Sequence, residues 1–230
     1  MKSSAHANAA SQADDLRTPQ PRGPRGPYEN TPARRQQILE VATKHFSREG
    51  YHRASLRAIA TDAGISHAAV MRHFPTKEDL LSRVVEEHHR KEREYLTERA
   101  RESSTAEALV EALAHQQKSP EHARLWVVLT AEASNPQHPA SRFVTMRLAE
   151  FRSLTMHALQ DLRRTGSLRP DLDLRRTATI LLSLAHGLQV QALVDPAVDA
   201  VEEFSVFLNG HVLMPSARIG SRRAQTDKDP

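Results

Sequence analysis

Apolar residues return every three to four positions in a series of stretches separated by polar punctuation, and no stretch alternates apolar and polar long enough to read as a strand. Thr31-Pro32 supplies an N-cap with proline at the first helical position, and the segment behind it carries Ile38, Leu39, Ala42 and Phe46 on one face before stopping at Gly50. Ser55 caps a short helix with Leu56, Ile59, Ala60 and Ala63 directed inward, ended by Gly64. Ser66 opens the next, His67 to about Phe74, which Pro75 closes. Thr76 with Asp79 three residues on forms a capping box at the head of a long charged helix running through Leu80, Leu81, Val84 and Val85 towards Arg101. Ser104 with Glu107 repeats the device, and Ser119-Pro120 repeats the cap-plus-proline signal for a helix that contains Trp126 and ends near Asn135-Pro136. A further helix spans about Ala140 to Thr165 and stops at Gly166; Asp173 caps one reaching about Val194, and Asp195-Pro196 caps the last, to about Val212. The pattern predicts an all-α chain of about nine helices, with a three-helix N-terminal domain over 31–84 and a larger bundle over 85–213.

Composition adds the tails and removes several function classes. Residues 1–30, with the run Pro19 to Pro27, lack an apolar pattern that could offset their ordering entropy, and so read as a flexible arm; residues 214–230 read as a flexible tail. Without cysteine there are no disulfides, thiolate metal sites or cysteine nucleophile. Aromatic residues are 4% of the chain, so aliphatic side chains fill the interior. The most apolar stretch, Ile180 to Val194, is interrupted by His186, Gln189 and Gln191 and is too short to span a bilayer, and the N-terminus lacks the apolar core of a secretory signal. These features predict a cytoplasmic protein with no membrane partner. Net charge is +4, and five arginines with a single acid lie between Arg17 and Arg35, so the basic bias meets the start of the first helix. That placement points to nucleic acid.

Leu56 to Phe74 forms two short helices around a Gly64-Ile65-Ser66 turn. Gly64 stands where a tight interhelical turn needs a positive φ. Ala60 and Ala63 let the two helices approach, and Ile59, Ile65 and Val70 can seal the junction. This is the helix-turn-helix pattern, whose second helix lies in the major groove. That helix carries His67, Ala68, Ala69, Met71, Arg72 and His73 and no acid, a set suited to guanine edges, phosphates and thymine methyls. Ser55 and Lys77, at helix starts, are placed for phosphates.

The stretches Arg35–Tyr51, Ser55–Ser66 and His67–Leu81 resemble the DNA-binding domain of the TetR family from about residue 33 to 84. The resemblance implies that Ser55, Arg57, His67, Ala68, Ala69, Met71, Arg72, His73 and Lys77 fall where members touch DNA. Met71 departs from the tyrosine usual in the family and removes a hydrogen bond commonly made there. The resemblance further implies a homodimer built through the last two helices, a double-stranded operator, and a C-terminal small-molecule pocket. On the penultimate helix Ile180, Leu181, Leu184 and Leu188 form one stripe, and Leu182, His186, Gln189 and Leu193 another. A helix apolar nearly all round needs cover on two sides, which a symmetry mate provides.

Candidate pocket residues are Trp126, Phe143, Met146, His157, His186 and Gln189, each of which also suits an ordinary core. Thirteen histidines include no His-Glu-x-x-His, and His88-His89, adjacent on a charged helix, read as solvated surface. No phosphate-cradling glycine loop or nucleophile elbow occurs, so neither a catalytic site, a metal site nor a cofactor is expected. Arg22 and Arg25 of the arm are either part of a disordered leader or reach an adjacent minor groove. The function expected is a ligand-responsive repressor. The alternative is a DNA-binding module whose C-terminal half only dimerises or docks a protein partner.

Overall fold

Nine α-helices follow one another in the computed structural model, which describes residues 32–102 and 105–220. They are α1 (Pro32–Arg53), α2 (Leu56–Asp62), α3 (His67–His73), α4 (Lys77–Glu102), α5 (Thr105–Gln117), α6 (Pro120–Glu132), α7 (Ser141–Arg164), α8 (Leu174–Val194) and α9 (Ala200–Phe207). The arm with Arg22 and Arg25, and Ser104 with its expected cap, lie outside the described residues. No sheet forms among the described residues; Leu168 and Leu213 meet in one isolated antiparallel bridge.

Local signals set most of the boundaries. Ser66 accepts from the Ala69 N–H at 3.1 Å. Thr76 and Asp79 exchange reciprocal backbone bonds of 3.1 and 3.0 Å, and Asp173 accepts from Arg176 N at 2.9 Å. Ser55 and Ser119 occupy N-cap positions, but their hydroxyls make no capping bond. Gly64 adopts φ +65 in the turn between α2 and α3. Gly50, at φ +75, breaks α1 and redirects its last three residues.

Three expectations are corrected. Asp195-Pro196 does not cap the last helix: the Asp195 carboxylate accepts from Ala197 N in a tight turn, and Asp199, four residues on, caps α9 by accepting from Val201 and Glu202 N–H groups. The chain turns after Asp195, where Val198 N donates to Asp195 O, and the i−4 backbone ladder begins only with Glu203 N on Asp199 O. Next, the tail begins later than Pro215. Met214 N donates to Ser167 O, Asn209 makes two 2.9 Å bonds with the backbone of Ile219, and that side chain packs on the core. Finally, the expected helix from Asp173 to about Val194 forms, and the apolar stretch read as too short to span a bilayer is only part of it. By length and composition α8 could cross a membrane, yet it packs sideways on α6, α7 and α9 and buries Leu181 and Leu188.

The interior divides into two apolar clusters whose border ignores the expected division near residue 84. The first holds Ile38, Phe46, Ile59, Val70, Phe74, Leu80 and Val84, together with Leu125 and Leu129 of α6 and Ala140 and Val144 at the α7 end. The second holds Leu113 of α5, Leu159 and Leu162 of α7, Leu181 and Leu188 of α8, and Val201, Phe204, Leu208 and Val212. Helix α7 therefore runs from one cluster to the other, and α6, though it follows the expected border, completes the first.

Candidate functional site

On α2 and α3 the buried and exposed residues separate cleanly. Ile59 and Val70 are sealed inside with Ala60 and Ala63, while Ser55, Arg57, His67, Ala68, Met71 and Arg72 are exposed and Ala69 and His73 half-buried. The face so formed holds Arg and His donors, small side chains and no acid, the chemistry that meets base edges and phosphates. The pair is braced from α1. Gln37 Nε2 donates to Ala63 O at 3.1 Å, His45 lies 2.8 Å from Asp62, and the Arg35 guanidinium sits 5.1 Å above the Phe74 ring.

Lys77 is placed differently from its expected role as an outward phosphate anchor. Its ammonium donates to His52 O and Ala54 O, both at 3.1 Å, and lies 4.5 Å from the Tyr51 ring centroid. Two of its three N–H groups thus hold the link between α1 and α2. The signal that could have shown this is the helix stop at Gly50, which leaves the carbonyls after it without helical partners.

That same stop joins α1 to α6. A Cβ on Gly50 would come within 2.2 Å of Glu132 Oε1, and the other carboxylate oxygen accepts from Tyr51 N at 3.0 Å. His138, its side chain fully buried, lies 3.3 Å from this carboxylate and meets Tyr51 edge-on at 5.2 Å. Burial first, and the neighbouring His52 next among the lowering effects, hold the His138 pKa down despite Glu132.

At the seam between the two clusters lies a cavity of about 330 Å³. Val85, Leu125, Trp126, Leu129 and Phe143 form its apolar wall, and His88, Glu92, His115, Gln116, Arg147 and Gln189 its polar wall. Arg147 is bound to Glu92, and its guanidinium lies 4.1 Å from the Trp126 ring and 4.8 Å from that of Phe151. Gln116 donates to Glu92 at 2.6 Å and accepts from Gln189 at 3.2 Å. His88 packs against His122 at 3.9 Å between ring centroids and lies 3.1 Å from the Thr43 hydroxyl of α1. The Thr43 proton goes to Leu39 O at 2.8 Å, so His88 Nε2–H is the donor to Thr43. Burial, then the charges of His122, Lys91 and Arg147, push the His88 pKa down to about 3.

Of the expected pocket residues, Trp126, Phe143 and Gln189 line this cavity. Met146 is half exposed on an outer groove of α4 and α7, His157 is exposed, and His186 is half-buried on α8 away from the lining. The reading of His88-His89 as solvated surface is overturned. The two rings do point apart, but both inward: His88 to the cavity and His89, buried, to Glu150 of α7 at 2.8 Å. Their signal was the position three and four residues past Val85, on the apolar side of α4. Among the described residues no group of three His, Cys, Asp or Glu could hold a metal ion.

Comparisons with known proteins agree along both parts of the chain. The family model described as "Bacterial regulatory proteins, tetR family" matches residues 38–84, and "BetI-type transcriptional repressor, C-terminal" matches residues 100–212. The HTH-type transcriptional repressor KstR2 of Mycolicibacterium smegmatis is 30% identical over 148 residues, 61% of this chain and 70% of that protein. The HTH-type transcriptional regulator UidR of Escherichia coli K12 is 29% identical over 160 residues, 66% of this chain and 78% of that protein. A transcriptional regulator from Saccharomonospora viridis, solved in complex with choline, superposes with a TM-score of 0.71 at 23% identity, covering 80% of this chain and all of that one.

Proposed function

The chain belongs to the TetR family of DNA-binding bacterial regulators, and from that premise we propose a cytoplasmic homodimeric repressor that leaves its operator when a small molecule fills the cavity. The observation that carries this reading is the position of the cavity. It lies where the two apolar clusters meet, and its wall includes a side chain bonded to α1, His88 on Thr43. A solid bundle would have favoured a C-terminal half that only dimerises or docks a protein. A cavity of this size, largely apolar with a few convergent polar groups, favours a ligand. The complex of the S. viridis regulator with choline is in keeping with small-molecule binding on this fold.

Each α3 reads one half of a near-palindromic operator. Arg72, His67 and His73 serve base edges and phosphates, Ala68, Ala69 and Met71 make apolar contacts, and Ser55 and Arg57 hold the flanking backbone. Lys77, engaged with the 52–54 carbonyls, positions that edge of the domain and has one N–H left for a phosphate. The proposed two-fold contact runs through α8 and α9. No charged residue lies between Arg176 and Asp195, and on this uncharged stretch of α8 Ile180 is 46% exposed and Val194 81%, while Val206 of α9 is 54% exposed. Such a face is covered by its own copy in a dimer.

Ligand entry moves α4 and α6, the two helices that line the cavity and also grip α1. The spacing of the reading heads that fits DNA then becomes less populated, with a coupling of about 1–3 kcal/mol. The decisive experiment selects bound duplexes from a random pool and titrates the winner at two salt concentrations. A palindrome bound far above random DNA is expected, with Arg72→Ala costing about 1–3 kcal/mol and Ile180→Glu yielding monomers in sedimentation. Unspecific, salt-sensitive binding alone would sink the reading.

A further inference from the structure

The charges around the cavity are unequal. Lys91, Lys118 and Arg147 are on its lining with a single acid, Glu92. That acid is already engaged: Arg147 is bound to one oxygen and Gln116 donates to the other. Aromatic rings beside it already carry partners. Arg147 lies over Trp126 and Phe151, and Tyr95 is stacked on His115 at 3.6 Å. At the exposed rim, Lys91 shares Glu87 with Arg90, and no carboxylate lies within ion-pair distance of Lys118 among the described residues. His122 is exposed beside them.

We propose that the cavity takes an amphipathic organic anion, with its apolar body on Val85, Leu125, Trp126, Leu129 and Phe143 and its carboxylate at the rim formed by Lys91, Lys118 and His122. This rests on the reading of the cavity as the effector site. A carboxylate at the rim keeps part of its hydration, so its desolvation cost is small while two ammonium groups attract it. A cationic head meets the same two ammonium groups, and the one acid of the lining, Glu92, is already paired with Arg147. His88, His115 and His122 are all held towards the neutral form by burial first; Lys91, Lys118 and Arg147 add to the lowering, and Glu87, Glu92 and Glu121 oppose it.

Trp126 is the sole tryptophan of the chain and lines the cavity, so its emission reports occupancy directly. The full-length protein is titrated with octanoate, 1-octanol and octyltrimethylammonium below their micellar concentrations. Octanoate is expected to change the emission at a concentration about tenfold lower than octyltrimethylammonium does, a difference of about 1.4 kcal/mol. Lys118→Glu, an exposed and unpaired position that leaves the fold intact, should remove most of that preference. Equal or tighter binding of the ammonium compound overturns the anion assignment while leaving the effector cavity standing. An octanoate preference undiminished in both Lys118→Glu and Lys91→Glu overturns the placement of the headgroup. No response to any of the three compounds overturns both the assignment and the effector-cavity reading beneath it.

Discussion

The first apolar cluster, under α1 to α4, and the second, around α8 and α9, differ in how they are finished at their edges. The first is closed by polar ties of fixed geometry: Lys77 on the carbonyls of His52 and Ala54, Glu132 on Tyr51 N, and His88 on Thr43. The second has such ties only at its C-terminal edge, where Asn209 holds Ile219, and its outer helix leaves Ile180 and Val194 uncovered. A surface that reads base edges needs its orientation held to within a fraction of an ångström, which directional bonds provide. A surface meant for its own copy needs apolar area and freedom from charge.

Four measurements break or sharpen that contrast. Leu129 belongs to α6 by sequence but to the first cluster by packing, where it is 1% exposed. Leu129→Ala should cost about 2–5 kcal/mol in urea unfolding and take DNA affinity down with it. A loss of stability that spares DNA binding would mean the clusters are independent.

His88 tests the polar seam. The unfolded chain protonates this imidazole near 6.5 and the folded chain only near 3, so its stabilising contribution is complete above 6.5 and drains away as pH falls through that window. At pH 5 the loss is about 2 kcal/mol. Thermal melts at pH 7 and 5 should therefore diverge less for His88→Gln than for the parent chain.

Gly50 tests the tie to α6. An L-residue at φ +75 is strained, and its Cβ would displace the Glu132 carboxylate. Gly50→Ala should cost about 1–2 kcal/mol and weaken the response of DNA binding to effector. An unchanged response would remove Glu132 from the coupling route.

The smallest effect separates two serines of identical sequence promise. Ser66→Ala loses a formed cap and should cost about 1 kcal/mol. Ser55→Ala, where no capping bond exists, should leave the melting temperature in place.

What the sequence disclosed follows the range of the interactions. Ser66, the Thr76–Asp79 box, Asp173 and the Gly64 turn are settled within four residues, and each is legible in the order of amino acids. Between Asp195 and Asp199 local chemistry allowed either cap; the choice belongs to the apolar phase of Val201, Phe204 and Leu208, which only the packed bundle fixes. The cavity was legible in part. Trp126, Phe143 and Gln189 stand on inward faces, but Met146, only three residues beyond Phe143, turns onto the outer groove of α4 and α7. The residues missed, His88, His115, Glu92 and Arg147, are polar groups drawn inside by partners on other helices, as when Glu92 of α4 meets Arg147 of α7. The period of α4 put His88 on its apolar side; what no period could mark is the pairing of Glu92 with Arg147, more than fifty positions away.

The first cluster needs Leu125, Leu129, Ala140 and Val144 before it can close. During synthesis, then, the ribosome must deliver most of α6 and the start of α7 before the recognition helix has a finished support beneath it. A nascent or truncated chain that stops after α4 leaves apolar surface bare and cannot hold the reading head rigid.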